Sequence, residues 1–215
     1  MKRTLTALAL ILGVTSTAQA ATITNGSFET GPVPGAYTPL DSGSTAITGW
    51  TVASGNIDYI GSLWQASDGT RSVDLTGDTR GSIFTTITGM IIGTAYNLYF
   101  DLSGNPDGNP ANKKLDVTLK SPNTKENYNY NIQTAENSHA DMKWVTYVLS
   151  FVATQATSKL TFAAGTGTGG VACCYGPALD NVRIASVAAV PVPAGGVLLL
   201  TGLAGIAMLR RRSAI

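Results

Sequence analysis

Tyr96-Asn97-Leu98-Tyr99-Phe100-Asp101-Leu102 is the stretch that decides the fold class. Tyr96, Leu98, Phe100 and Leu102 alternate with Asn97, Tyr99 and Asp101, a period of two that belongs to a strand with one buried face. The alternation recurs on both sides. Leu115, Val117 and Leu119 alternate with Asp116, Thr118 and Lys120, and Val145, Tyr147, Leu149 and Phe151 alternate with Thr146, Val148 and Ser150. Leu160 with Phe162 and Val182 with Ile184 read the same way, as do the shorter runs Trp50–Ala53, Ile57–Ile60, Ser72–Thr76 and Ser82–Thr88. Asn127–Ile132 is a polar-aromatic strand or loop. The pattern predicts an all-β, antiparallel sandwich of eight to ten strands over residues 21–186. Nothing between the runs could form crossover helices, which excludes a parallel α/β fold. A domain of this length buries roughly 70% of its unfolded surface.

Three stretches read as loops: Thr30–Ser44, Ser103–Lys113 and Gly165–Gly170. Their Pro residues cannot donate to a ladder, and their Gly residues suit positive φ.

Of the 215 residues, 13% are charged, about half the usual share. Lys2, Arg3, Arg210, Arg211 and Arg212 account for five of the fourteen basic residues, leaving nine basic against thirteen acidic in between. That weakly acidic middle excludes a nucleic-acid binder, which needs clustered Lys and Arg. One histidine and two adjacent cysteines are too few for a Cys/His zinc site or a multi-disulfide scaffold.

The two ends read as addresses. Residues 1–20 carry Lys2 and Arg3, an apolar Leu5–Val14 and the small-x-small site Ala18-Gln19-Ala20, which is a signal peptide layout. Residues 187–215 contain Val190-Pro191-Val192-Pro193-Ala194, then an uncharged run to Leu209, then Arg210-Arg211-Arg212. Counted from Val190 the apolar run reaches the ~20 residues of a spanning helix, with the arginines on the cytoplasmic side. This tail resembles the bacterial PEP-CTERM sorting signals in their VPLPA variant. The resemblance implies processing by an exosortase, a transient tether in the inner membrane of a Gram-negative cell, and a final place at the surface or outside it.

The middle carries a second resemblance. Ile23-Thr24-Asn25-Gly26-Ser27-Phe28-Glu29, Gly49-Trp50, Asn56–Ile60, Asp68-Gly69, Ser72–Leu75, Phe100–Pro106 and Gly176–Val182 occur in the order seen in choice-of-anchor C domains of exported bacterial proteins. Those are related to a domain of unknown function in plant cell-wall proteins and to galactose-binding-like carbohydrate modules, so a jelly-roll sandwich is implied. In the related carbohydrate modules the Glu and Asp of these motifs share one calcium. The carry-over is to Glu29 and Asp180, and the alternative is that Glu29 caps a turn and Asp180 accepts backbone N–H groups.

The chemistry of the middle points away from catalysis. His139 stands alone in a polar segment with no G-x-S-x-G and no reactive-cysteine signature nearby. Asp101 and Asp116 read as solvent-face strand residues. For a sugar, Trp64 with Gln65 and Asp68 is the best exposed ligand set, the alternative being that Trp64 packs in the core or its loop; Trp50 and Trp144 adjoin strands and are expected in the core. Cys173 and Cys174 could form a vicinal bridge, pair between chains, or remain small semi-buried thiols; adjacent Cα atoms sit closer than a disulfide usually asks. The reading is an exported, non-catalytic surface or matrix protein associated with extracellular polysaccharide. The alternatives are a purely structural surface protein and a secreted hydrolase.

Overall fold

The computed structural model describes residues 20–165 and 174–187. The expected signal peptide and the sorting motifs Val190–Ala194 and Arg210–Arg212 lie outside the described residues, as do Cys173 and most of Gly165–Gly170.

Among the described residues, eleven strands form two antiparallel sheets. One has the order β1 (Tyr37–Asp41), β3 (Asn56–Ile60), β4 (Ser72–Asp74), β11 (Pro177–Ser186), β6 (Ala95–Gly104), β9 (Val145–Val152). The other runs β2 (Thr51–Ser54), β5 (Ser82–Ile87), β10 (Ser158–Ala164), β7 (Asn112–Leu119), β8 (Thr124–Asn131). A single helical turn, α1 (Ile132–Ala135), follows β8 and is capped by Asn131, whose side chain accepts from the N–H groups of Gln133 and Thr134.

The alternating apolar faces meet between the sheets. Leu98, Phe100, Leu102, Ile57, Tyr59, Val73 and Leu179 from one sheet pack with Leu115, Val117, Leu119, Leu160 and Phe162 from the other. Phe100 sets an edge on Phe162 and another on Tyr128, at 5.4 and 5.0 Å between ring centroids. Trp50 belongs to this core, as its sequence context predicts.

Two sequence expectations are corrected here. Thr30–Ser44 is not loop throughout, because Tyr37–Asp41 forms β1, paired with β3. β1 is an edge strand, where Pro39 is tolerated because one side of the ladder needs no donor. The loop expected over Ser103–Lys113 shrinks to residues 105–111, since β6 continues to Gly104 and β7 begins at Asn112.

A second, smaller core lies on the outer face of the six-stranded sheet. Ile60 and Ala178, which alternate outward from the main core, pack with Trp64 and Met142, and Leu63 and Trp144 close the sides. The roof over this face comes from two segments distant in sequence, Gly61–Arg71 and Gln133–Trp144. They are joined by Gln65 N–H to the His139 carbonyl and by the Trp144 indole N–H to the Gln65 carbonyl.

β11 sits between β4 and β6 in the middle of its sheet. It begins beside Gly176, whose N–H donates to Asp74, and it leads to Val187, whose N–H donates to the Ala95 carbonyl at the start of β6.

Candidate functional site

The opening motif folds through its own polar groups. Asn25 has φ 54, accepts from the Thr30 N–H and donates its amide to the carbonyls of Thr30 and Thr48. Its carbonyl takes the Trp50 indole N–H, and Phe28 packs on the Trp50 ring at 5.0 Å. Gly26 lies flat against β11: a Cβ there would come within 1.8 Å of the Val182 carbonyl oxygen. That closeness is what lets the Val182 N–H reach the Gly26 carbonyl at 2.8 Å.

Glu29 and Asp180 then converge on one loop. Glu29 Oε1 accepts the N–H groups of Thr70 and Arg71, and Oε2 accepts the Thr70 hydroxyl. Asp180 Oδ2 accepts the N–H groups of Ser67 and Asp68, and Oδ1 accepts that of Asn181. Gly69 lies between the two grips at φ +68, where a Cβ would meet Glu29 Oε1 at 2.5 Å. Burial drives the Asp180 carboxyl up to about 7, against the pull of its three backbone donors. Both carboxylates therefore spend most of their acceptor capacity on N–H groups, whose positive ends would face a cation. Among the described residues no group of three or more His, Cys, Asp or Glu is arranged to hold a metal. Glu29 and Asp180 as placed do not fit a shared calcium; of the two sequence readings, turn-capping and backbone acceptance describe them.

Trp64, Gln65 and Asp68 do not form an open ligand set. Trp64 is 4% exposed and donates its indole N–H to the Ser72 hydroxyl beneath the roof. Gln65 gives its backbone N–H and carbonyl to the roof, and Asp68 its N–H to Asp180, while both residues stay exposed beside the buried Trp64. The expectations for Trp64 and Trp144 exchange places, since Trp144 is only half-buried. Asp101 is also corrected: it is 4% exposed, and accepts from Thr146, Ser67 and Asn181. The roof over the sheet converts these outward positions into interior ones. Asp116 remains partly open and pairs with Lys125 at 2.9 Å. His139 is half-buried rather than free in solvent, with its ring 6.3 Å from Trp64 and Nε2 2.8 Å from Asp107 Oδ1. Cys174 is disulfide-bonded.

Beside the roof, at the β1 side of the sheet, a groove of about 330 Å³ opens. Its walls are the aromatic rings of Tyr37 and Tyr175, 50% and 38% exposed, with Pro39 between strands. Its polar lining is Asp58, Asp78, Asp107 and Asn105. The strand register explains the grouping. Tyr37 lies opposite Ile60 and Pro39 opposite Asp58, so all four share the outer face. Asp78 follows β4, Asp107 follows β6, and Tyr175 precedes β11.

Asp74, fully buried, holds three of the loops in place. Its carboxylate accepts the N–H groups of Thr76 and Gly176 and the Asn105 amide, and Asn105 in turn accepts the Asp107 N–H. Burial raises Asp74 to about 7. Lys113, 1% exposed, runs under the groove and donates Nζ to the carbonyls of Gly108 and Tyr175. Burial lowers it to about 8, opposed by Asp74 and Asp107. The Tyr175 ring lies against Gly108, where a Cβ would sit 2.4 Å from the ring. None of these groove residues was marked as a site by sequence reasoning. The available signal was two tyrosines inside Gly/Pro-rich segments, where no core is near.

Asp58 is half-buried, and neither it nor Asp78 takes a hydrogen bond or ion pair among the described residues. Burial first, and then the Asp78 charge, raise Asp58 to about 6.

The chain is 33% identical over 204 residues to halomucin of Haloquadratum walsbyi; the match takes in 88% of this chain but spans only 2% of halomucin's length. Among solved structures, a family 35 carbohydrate binding module from Clostridium thermocellum superposes at a TM-score of 0.46 and 14% identity, covering 70% of this chain and 99% of that one. The CBM22-1 xylan-binding domain from Paenibacillus barcinonensis superposes at 0.43 and 17% identity, covering 74% and 97%. The model of the family described as "Protein of unknown function (DUF642)" matches residues 21–185, and the chain belongs to that family.

Proposed function

We propose that this chain is an exported, non-catalytic module that takes up a saccharide in the groove between Tyr37 and Tyr175. The observation that carries the reading is the pairing of two exposed aromatic walls with a row of carboxylates and an amide in one concavity. Sugar rings present C–H faces that pack on aromatic rings and hydroxyls that bond planar polar groups. The walls are held from below by Asp74 and Lys113, so the groove is preformed. The signal-peptide layout of residues 1–20 and the Val190–Arg212 layout support export and exosortase-dependent sorting toward the envelope or the extracellular polysaccharide.

Affinity electrophoresis of the full chain, in mild detergent through gels cast with a panel of polysaccharides, tests the reading. At least one polymer is expected to retard the parent, and the double variant Tyr37→Ala, Tyr175→Ala is expected to run free at an unchanged melting temperature. If no polymer retards the parent, the saccharide reading fails and a purely structural surface role replaces it.

A further inference from the structure

The saccharide reading leaves the charge of the groove unexplained. Three carboxylates face it, Asp58 from β3, Asp78 from the loop after β4 and Asp107 from the loop after β6. The nearby cations do not balance them. Lys113 points its Nζ at two backbone carbonyls beneath the floor. Arg71 is committed to the Gly31 carbonyl and the Tyr59 hydroxyl on the other side of β3. His139 lies against Asp107 alone. Asp58 and Asp78 are left facing each other's charge without a partner.

We infer that the groove selects a polysaccharide bearing free amines, a polymer of hexosamine in its ammonium form, over the same polymer in neutral or N-acetylated form. The inference rests on the saccharide reading and adds the ligand's charge. A neutral hydroxyl can bond to Asp58 but leaves the Asp58–Asp78 repulsion in place. An ammonium group relieves that repulsion, bonds to either carboxylate with charge assistance, and is attracted to the face of Tyr37; the Tyr175 ring already has Lys113 Nζ 6.0 Å from its centroid. Burial first, and then the Asp78 charge, displace Asp58 upward, and a cation in the groove would act against both. The two aromatic walls of the groove suit a pyranose ring better than a single extended basic side chain.

The test titrates the full chain, in mild detergent, with soluble β-1,4-glucosamine oligosaccharides and with the fully N-acetylated oligosaccharides of equal length. A charge-assisted bond in place of a neutral one corresponds to about a tenfold tighter Kd for the amine form. Asp58→Asn and, separately, the exposed Asp78→Asn are each expected to bring that ratio toward one, and added salt is expected to lower it for the parent. Equal affinity for the two oligosaccharides overturns the inference and leaves the saccharide reading standing. Polylysine competing as well as the glucosamine oligomer also overturns it, since the groove then attracts any cation. Absence of binding to these oligosaccharides and to every polysaccharide in the gels removes both.

Discussion

Glu29, at the end of the first motif of the domain, and Asp180, in its last strand, hold the same loop from opposite ends. Glu29 takes the N–H groups of Thr70 and Arg71, and Asp180 takes those of Ser67 and Asp68. The link between the two ends of the described domain is thus made largely of backbone donors. Asp180 is fully buried while Glu29 is partly open. Asp180→Ala, which strands buried N–H groups, is expected to cost about 3 kcal/mol, and Glu29→Ala about 1–2 kcal/mol because water can replace part of what is lost. Chemical denaturation of both variants beside the parent measures the difference.

The same relationship bears on calcium. A cation bound only to the native state would stabilise it by about 2.7 kcal/mol at a hundredfold excess over Kd. The expected outcome is that melting curves in calcium and in chelator coincide. A clear rise in calcium would mean that the N–H groups around Glu29 and Asp180 turn away to admit an ion.

The tryptophans separate fold from site. Trp64→Ala removes the centre of the roof core and the bond to Ser72, and is expected to cost about 3–5 kcal/mol. Trp144→Ala removes a half-buried ring and its bond to the Gln65 carbonyl, and is expected to cost less than Trp64→Ala. Thermal melts of the two single variants settle the order.

Asp74 and Asp180 are both raised to about 7 by burial, so the folded chain holds more protons than the unfolded chain between about pH 4 and 7. Stability is then greatest below the unfolded value and falls as pH rises through the folded one. Lys113, lowered to about 8, acts in the opposite sense: above pH 8 the unfolded chain holds the extra proton, and stability is regained as pH rises toward the ordinary lysine value. The melting temperature is expected to drop from pH 5 to pH 7.5, by about 2–4 °C for each kcal/mol. Asp74→Asn is expected to flatten that slope, as read by calorimetry across the pH series.

Strand periodicity made β6, β7 and β9 legible, because their apolar faces repeat over many residues with no interruption. The Asn25–Glu29 and Gly49-Trp50 motifs were legible as a unit because their bonds join short, named segments to one another. β1 was not, because Pro39 and its Gly/Pro-rich surroundings read as loop, and only the register with β3 makes a strand of them. Trp64 was misplaced because its burial depends on Met142 and Ala178, which no local pattern connects to it. The groove escaped for a related reason: Tyr37, Asp58, Asp78, Asp107 and Tyr175 come from five separate segments.

β11 runs from the groove to Val187, the last described residue. Tyr175 stands just before its first residue and Val187 just after its last, with a ten-residue strand between them. At about 3.3 Å per residue that is roughly 30 Å, the length of the sheet. A pull between a polymer lodged against Tyr175 and anything attached beyond Val187 acts along this strand. β11 pairs with β6 from Pro177–Gly104 to Ser186–Tyr96, with a register shift between Asp180 and Arg183, and with β4 at Ala178 and Leu179. The ladder bonds lie across the line of force, so they are loaded in parallel as shear and cannot be unzipped singly from an edge.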